Sequence, residues 1–234
     1  YDANSGSGDL EVGDFALSIT NGVATIGSAT PTSISRIGNH QYVLGFSLSG
    51  TPNGSEQLAV VPIANSIFDI NGTASSTSQS NNTVNLFEKV LPTISSTALA
   101  ADNSTITATF SEAVFKSRSA SGTGFAGNGD LEVSDFVLSM SGGVATLGSA
   151  TPTSISKSSN AYTLGINYIG LPNGGEVITV IPAQDAIYDN TGNIASTTQS
   201  NNTKTFNSEK IRIAKSLEFE TGYAQFLSLL KCRR

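Results

Sequence analysis

The sequence predicts an all-β chain: antiparallel β-sandwich domains in tandem, the first copy truncated. Three observations predict it. The composition is dominated by small polar residues, a long stretch of sequence occurs twice, and apolar residues alternate with polar ones at a period of two between turn-forming dipeptides.

Only 13% of the 234 residues are charged, against about a quarter in ordinary globular domains. Ser, Thr, Asn, Gly and Ala make up most of the remainder, a bias that suits short strands joined by many turns. The net charge of -6 and a pI near 4.7 set most of the surface against phosphate backbones and argue against nucleic acid as a partner. The one cysteine, Cys232, rules out an intrachain disulfide and a multi-thiolate metal site. No stretch approaches the roughly 20 apolar residues of a membrane helix. The opening Tyr-Asp-Ala-Asn has neither an initiator Met nor a signal peptide, so the chain is expected to be a fragment, exported by a signal outside it.

The repeat is extensive. GDLEVGDFALSI (residues 8–19) recurs as GDLEVSDFVLSM (129–140), and GVATIGSATPTSIS (22–35) recurs as GVATLGSATPTSIS (143–156) at a constant shift of 121. One residue is then lost, and YVLGFSLSGTPNG pairs with YTLGINYIGLPNG, and TSQSNNT with TTQSNNT, at a shift of 120. The second copy is preceded by LPTISSTALAADNSTITATFSEAVF (91–115), for which the first copy has no equivalent; Tyr1 aligns with Phe115, and the loop before Gly129 is seven residues longer than the one before Gly8. The expected organisation is a truncated copy over residues 1–89 lacking its first two strands, a complete copy over 90–206, and a discordant tail over 207–234. The linker around Pro92 is short and stiff, which favours an extended path between copies.

Within the complete copy, Ile106, Ala108 and Phe110 alternate with threonines, and Ile178 and Val180 alternate with Thr179 and Ile181. Tyr162, Leu164, Ile166 and Tyr168 form the clearest run, repeated by Tyr42, Leu44, Phe46 and Leu48. These patterns predict half-buried strands. Asp102-Asn103, Ser141-Gly142-Gly143, Pro172-Asn173-Gly174 and Asp189-Asn190-Thr191-Gly192 punctuate them as turns. A unit of this length suits one sandwich domain per copy and is too long for a solenoid rung. Before residue 207 no helical period is convincing.

DNSTITATFSEAVF (102–115), DLEVSDFVLS (130–139) and IYDNTGNIAS (187–196) together resemble the T-x-T-F-S-E-x-V … DF … D-x-x-G-N pattern of bacterial immunoglobulin-like repeats, loosely called cadherin-like. The resemblance covers roughly residues 1–206. It implies an Ig-like sandwich in a tandem array, of the kind carried by long bacterial surface adhesins and multidomain exoenzymes. The first copy departs from the pattern, with Thr73 where the second has Asn193.

Catalytic constellations are hard to assemble from these residues. His40, the one histidine, has no counterpart in the second copy and reads as a surface loop residue. The serines lack a strand–elbow–helix context, and Cys232 reads as a tail thiol without a paired base. The sequons at Asn53, Asn71, Asn81, Asn103 and Asn201 follow from composition. With no Trp, the chain lacks the usual sugar-stacking platform. Acidic residues are the exception, because Asp9, Glu11, Asp14 and Asp69 recur as Asp130, Glu132, Asp135 and Asp189, with Glu112 added in the complete copy. Calcium takes six to eight oxygens from carboxylates, carbonyls and amides, and the resemblance implies calcium at junctions between copies. Glu112, Asp135, Asp189 and Asn193, all at strand ends, are the candidate calcium ligands; the alternative for each is an Asx-turn or a solvated strand end.

From Lys204 onward seven Lys or Arg face three Glu, and Leu217, Tyr223, Phe226, Leu227 and Leu230 could line a short amphipathic helix. The tail could dock on the first copy, meet an anionic membrane surface, or be unrelated sequence joined to the domain; the abrupt change in character favours the last, so membrane contact is not expected. The expected function is a non-catalytic structural or adhesion module of a bacterial cell-surface or secreted repeat protein. Its partners would be neighbouring repeats and a cell-surface protein or glycan. The alternative is an accessory region of a secreted hydrolase whose catalytic domain lies elsewhere, and a third reading is a hydrolase built on Glu112 and Asp135.

Overall fold

A computed structural model describes residues 1–122 and 124–208; the tail with its expected helix and Cys232 lies outside the described residues. The described chain is all-β, with single 3₁₀ turns at Val12–Asp14 and Val133–Asp135. In the first copy the strands are β1 (Phe15–Thr20), β2 (Thr25–Ile26), β3 (Ser33–Gly38), β4 (Gln41–Gly45), β5 (Leu48–Ser49), β6 (Gln57–Pro62) and β7 (Thr83–Asn85). The second copy opens with β8 (Ile94–Leu99), β9 (Thr105–Phe110), β10 (Val114–Phe115), β11 (Ser117–Ser121) and β12 (Gly124–Asn128). It continues with β13 (Phe136–Ser141), β14 (Thr146–Leu147), β15 (Ile155–Ser158), β16 (Ala161–Gly165), β17 (Tyr168–Ile169), β18 (Val177–Pro182), β19 (Tyr188–Asp189) and β20 (Thr203–Thr205).

Every pairing is antiparallel, and the two copies repeat each other's connectivity. The three-stranded sheet β1-β6-β7 matches β13-β18-β20, β2-β5 matches β14-β17, and β3-β4 matches β15-β16. In the second copy β15-β16 continues through β9 to β8, giving a four-stranded sheet. Among the described residues β4 pairs with β3 alone. Tyr1 exchanges backbone hydrogen bonds with Phe68, where Phe115 is paired with Tyr188, so Tyr1 takes the place of Phe115 as the alignment predicts.

Alternation explains which residues are inside. In β9, Ile106, Ala108 and Phe110 are buried and the intervening threonines are half-exposed, while Ile178 and Val180 of β18 are fully enclosed. They meet Phe136, Leu138, Tyr162 and Leu164 in one core drawn from both sheets. Phe110, Phe136 and Tyr162 form an aromatic triad with centroids 5.9–6.3 Å apart, spacings typical of favourable ring pairs. The Tyr162 hydroxyl donates to the Val114 carbonyl, which satisfies its polar end inside the core.

Two expectations change. The run from Tyr162 to Tyr168 is not one strand but two, because the chain leaves the four-stranded sheet after Gly165 and re-pairs with β14 at Tyr168. Its apolar face stays continuous, with Ile166 buried at the crossing. The longer loop before Gly129 folds as a hairpin, β11-β12. Arg118 anchors it, stacked 4.5 Å from the Phe125 ring and 5.3 Å from Tyr188 while donating to the Gly192 carbonyl.

Candidate functional site

The residues singled out by sequence gather in part, at the place where the two copies meet. Asp189 ends β19 and is fully buried. Its Oδ1 accepts the Thr191 and Asn193 backbone N–H groups at 2.7 and 2.8 Å, the Asx-type turn that Asp-x-x-Gly-Asn favours. That turn aims the Asn193 side chain back towards the linker. Asn193 Nδ2 donates to Asp189 Oδ2 at 2.8 Å and to Glu88 Oε2 at 2.5 Å, and the Thr191 hydroxyl donates to the same Glu88 oxygen at 2.6 Å. The last residues of the first copy are thereby tied to the last turn of the second.

Glu88 completes the cluster and leaves it unbalanced. Its other oxygen, Oε1, is buried without a hydrogen-bond partner among the described residues, a costly condition for a carboxylate. Glu112, on the turn after β9, is affected by the same crowding. Desolvation first, then the charges of Asp189 and Glu88, push its carboxyl up to about 7. Three acidic groups thus share a partly dry junction in which the Asn193 amide is the principal donor. Asn193 turns its N–H groups, rather than its carbonyl oxygen, towards the carboxylates; acting as an oxygen ligand would require the amide to rotate.

Asp135 is placed elsewhere. Its Oδ2 accepts the Glu132 N–H at 2.7 Å to cap the 3₁₀ turn before β13, and the charges that act on it are those of Glu132 and Lys116. Burial raises its carboxyl above the usual range. The duplicate Asp14 caps Val12–Asp14 in the same way, so this pair is explained by turn formation in both copies. Among the described residues no three His, Cys, Asp or Glu side chains converge closely enough to hold a metal ion as they stand. His40 lies exposed in the turn between β3 and β4.

Sequence reasoning missed two sets of acidic residues. Glu88 belongs to the linker, which has no duplicate to draw attention to it. Glu56 and Glu176 are duplicates at a shift of 120 and are both fully enclosed. Glu176 Oε1 accepts the N–H groups of Val144 (2.8 Å) and Ala145 (3.0 Å), and Oε2 that of Gly174 (3.0 Å). The Ala145 N–H leads in holding its carboxyl down at about 2, against the opposing effect of burial. At Glu56, burial alone would raise the carboxyl, but the Ala24, Val23 and Asn53 N–H groups outweigh it and bring it to about 2. Only glycine fits opposite: a Cβ on Gly143, which has φ of +60°, would lie 2.2 Å from the Glu176 carboxyl carbon. These glutamates are internal ties between loops. The recurrence of Glu after Pro-Asn-Gly was the available signal.

Comparison of the chain with protein-family models, curated proteins and solved structures returned no match.

Proposed function

We propose that the chain is a non-catalytic structural or adhesion module of a bacterial surface or secreted protein, built from tandem Ig-like sandwiches held in series. The observation that carries this reading is the junction. Glu88 from one copy is bonded directly to Asn193 and Thr191 of the next, and a short, bonded linker between two units of like connectivity suits reach and display. The acidic polar surface and the use of the recurrent carboxylates as turn caps and loop ties support it further.

Calcium is the cation we assign to the junction, with Glu88, Glu112 and Asp189 as the carboxylates and Asn193 as the side chain that rotates to join them. The buried, unpartnered Glu88 Oε1 and the raised Glu112 carboxyl are the signs of uncompensated negative charge that a hard cation would relieve. Calcium added to the full chain should raise its melting temperature near pH 7, and Glu112→Gln should reduce the increment. An unchanged melting temperature across calcium concentrations up to the millimolar range typical of extracellular modules would refute the assignment. For the non-catalytic reading, the full chain should show no turnover on a panel of glycosides and esters. Turnover that disappears in Glu112→Gln would establish an enzyme instead.

A further inference from the structure

The first copy contains a cleft of about 620 Å³, lined by Tyr1, Leu10, Phe15, Tyr42, Ile67 and Phe68 among others. Its walls correspond, at shifts of 121 and 120, to residues enclosed in the second copy. Leu131, Phe136, Tyr162 and Ile187 are 0–5% exposed, whereas Leu10, Phe15, Tyr42 and Ile67 are only half-buried. What separates the two copies is β9. In the second copy the Phe110 ring sits against Phe136 and Tyr162 at centroid distances of 6.3 and 5.9 Å; in the first, Phe15 and Tyr42 both face the cleft.

The backbone records the same difference. β16 pairs with β9 through Ala161↔Thr109, Tyr162↔Ala108, Thr163↔Thr107, Leu164↔Ile106 and Gly165↔Thr105. At the ends of this ladder the Asn160 carbonyl accepts the Phe110 N–H, and the Ile166 N–H donates to the Ser104 carbonyl, both at 2.9 Å. The equivalent groups in the first copy, the His40 carbonyl and the Phe46 N–H, have no partner among the described residues, and Phe46 is 39% exposed where Ile166 is 8%. An open strand edge beside an apolar cleft is a template for strand addition.

We propose that the first copy is a β-strand acceptor whose occupant is a strand pair of this repeat's own type. The inner strand would run antiparallel to β4 in the register of β9 and place an Ile-x-Ala-x-Phe face into the cleft. Leu44 would then meet the position of Ile106, and Tyr42 that of Ala108, with the Phe110 equivalent between Phe15 and Tyr42. A swap with a second copy of this chain would not serve, because it would open one four-stranded sheet to complete another. The inference does not depend on whether the module serves adhesion or binds calcium.

The test uses the full chain and a synthetic peptide of residues 91–115, followed by amide hydrogen exchange. The expected result is one-to-one binding, with exchange at Gln41–Gly45 slowed about tenfold or more and that of Ala161–Gly165 unchanged. A peptide carrying Ile106→Asp and Phe110→Asp, or a chain carrying Leu44→Asp, should abolish the protection. Absence of peptide-induced protection at Gln41–Gly45 would overturn the proposal. So would protection already present without peptide in a sedimenting dimer, which would identify a second copy as the cover. Protection without peptide that is lost on deleting residues 209–234 would identify the chain's own tail and overturn it equally.

Discussion

Glu176 and Glu112 show how two glutamates of one copy come to opposite fates. Both lie near apolar neighbours, but Glu176 meets converging backbone N–H groups, and Glu112 meets other carboxylates. Charge is therefore favoured at Glu176, at about 2, and disfavoured at Glu112, at about 7, against an ordinary 4.5. The contribution from Glu176, and from Glu56 with it, is complete above about 4.5 and is lost as pH falls towards 2. That from Glu112 is present below about 4.5 and is lost as pH rises through about 7. Stability should therefore fall at both ends of this range. Melting curves between pH 2 and 8 should show Glu112→Gln flattening the upper decline and leaving the acid limb intact. Glu176→Gln should lower the midpoint near neutral pH, because its amide nitrogen would face N–H donors, and should weaken the acid limb; a midpoint equal to wild type would contradict the role of the carboxylate as a loop tie.

At the scale of elements, period-two patterns were readable wherever a strand stays in one sheet. Ile106, Ala108 and Phe110 were assigned inward from spacing alone, and all three are buried. The run from Tyr162 to Tyr168 kept its spacing across a change of sheet, and alternation carries no information on which partner a strand takes. The β11-β12 hairpin was visible only as extra length, since its polar and glycine-rich sequence buries little; what holds it is Arg118 reaching Phe125, Tyr188 and the Gly192 carbonyl. The candidate site was legible to the extent that its residues were duplicated or matched a motif: Asp189 and Asn193 were found, Glu88 was not, and Asp135 proved to be a turn cap. Arg118→Ala should cost about 0.5–2 kcal/mol through the lost stacking. Exchange should quicken across Ser117–Asn128, with the amides of β9 and β16 unaffected; unchanged exchange in the hairpin would remove the anchor from the account of this insertion.

Across the whole molecule, the same sequence pattern is packed to two different degrees. The second copy encloses a core drawn from both its sheets, whereas the buried apolar side chains of the first are Leu17, Ala24 and Leu58. Truncating equivalent aromatics should expose this difference. Phe136→Ala should cost the second copy roughly 3–5 kcal/mol, as for other enclosed aromatics, while Phe15→Ala, at a half-solvated wall, should cost well below that range. Denaturant unfolding followed by probes in each copy would separate the two, and equal losses would mean that the first core is as tightly filled as the second. Most direct is hydrogen exchange of the full chain without added peptide, comparing Gln41–Gly45 with its counterpart Ala161–Gly165. The second segment should exchange only by global unfolding of its copy and the first at least about tenfold faster; equal protection of the two would contradict the claim that one copy is closed and the other open.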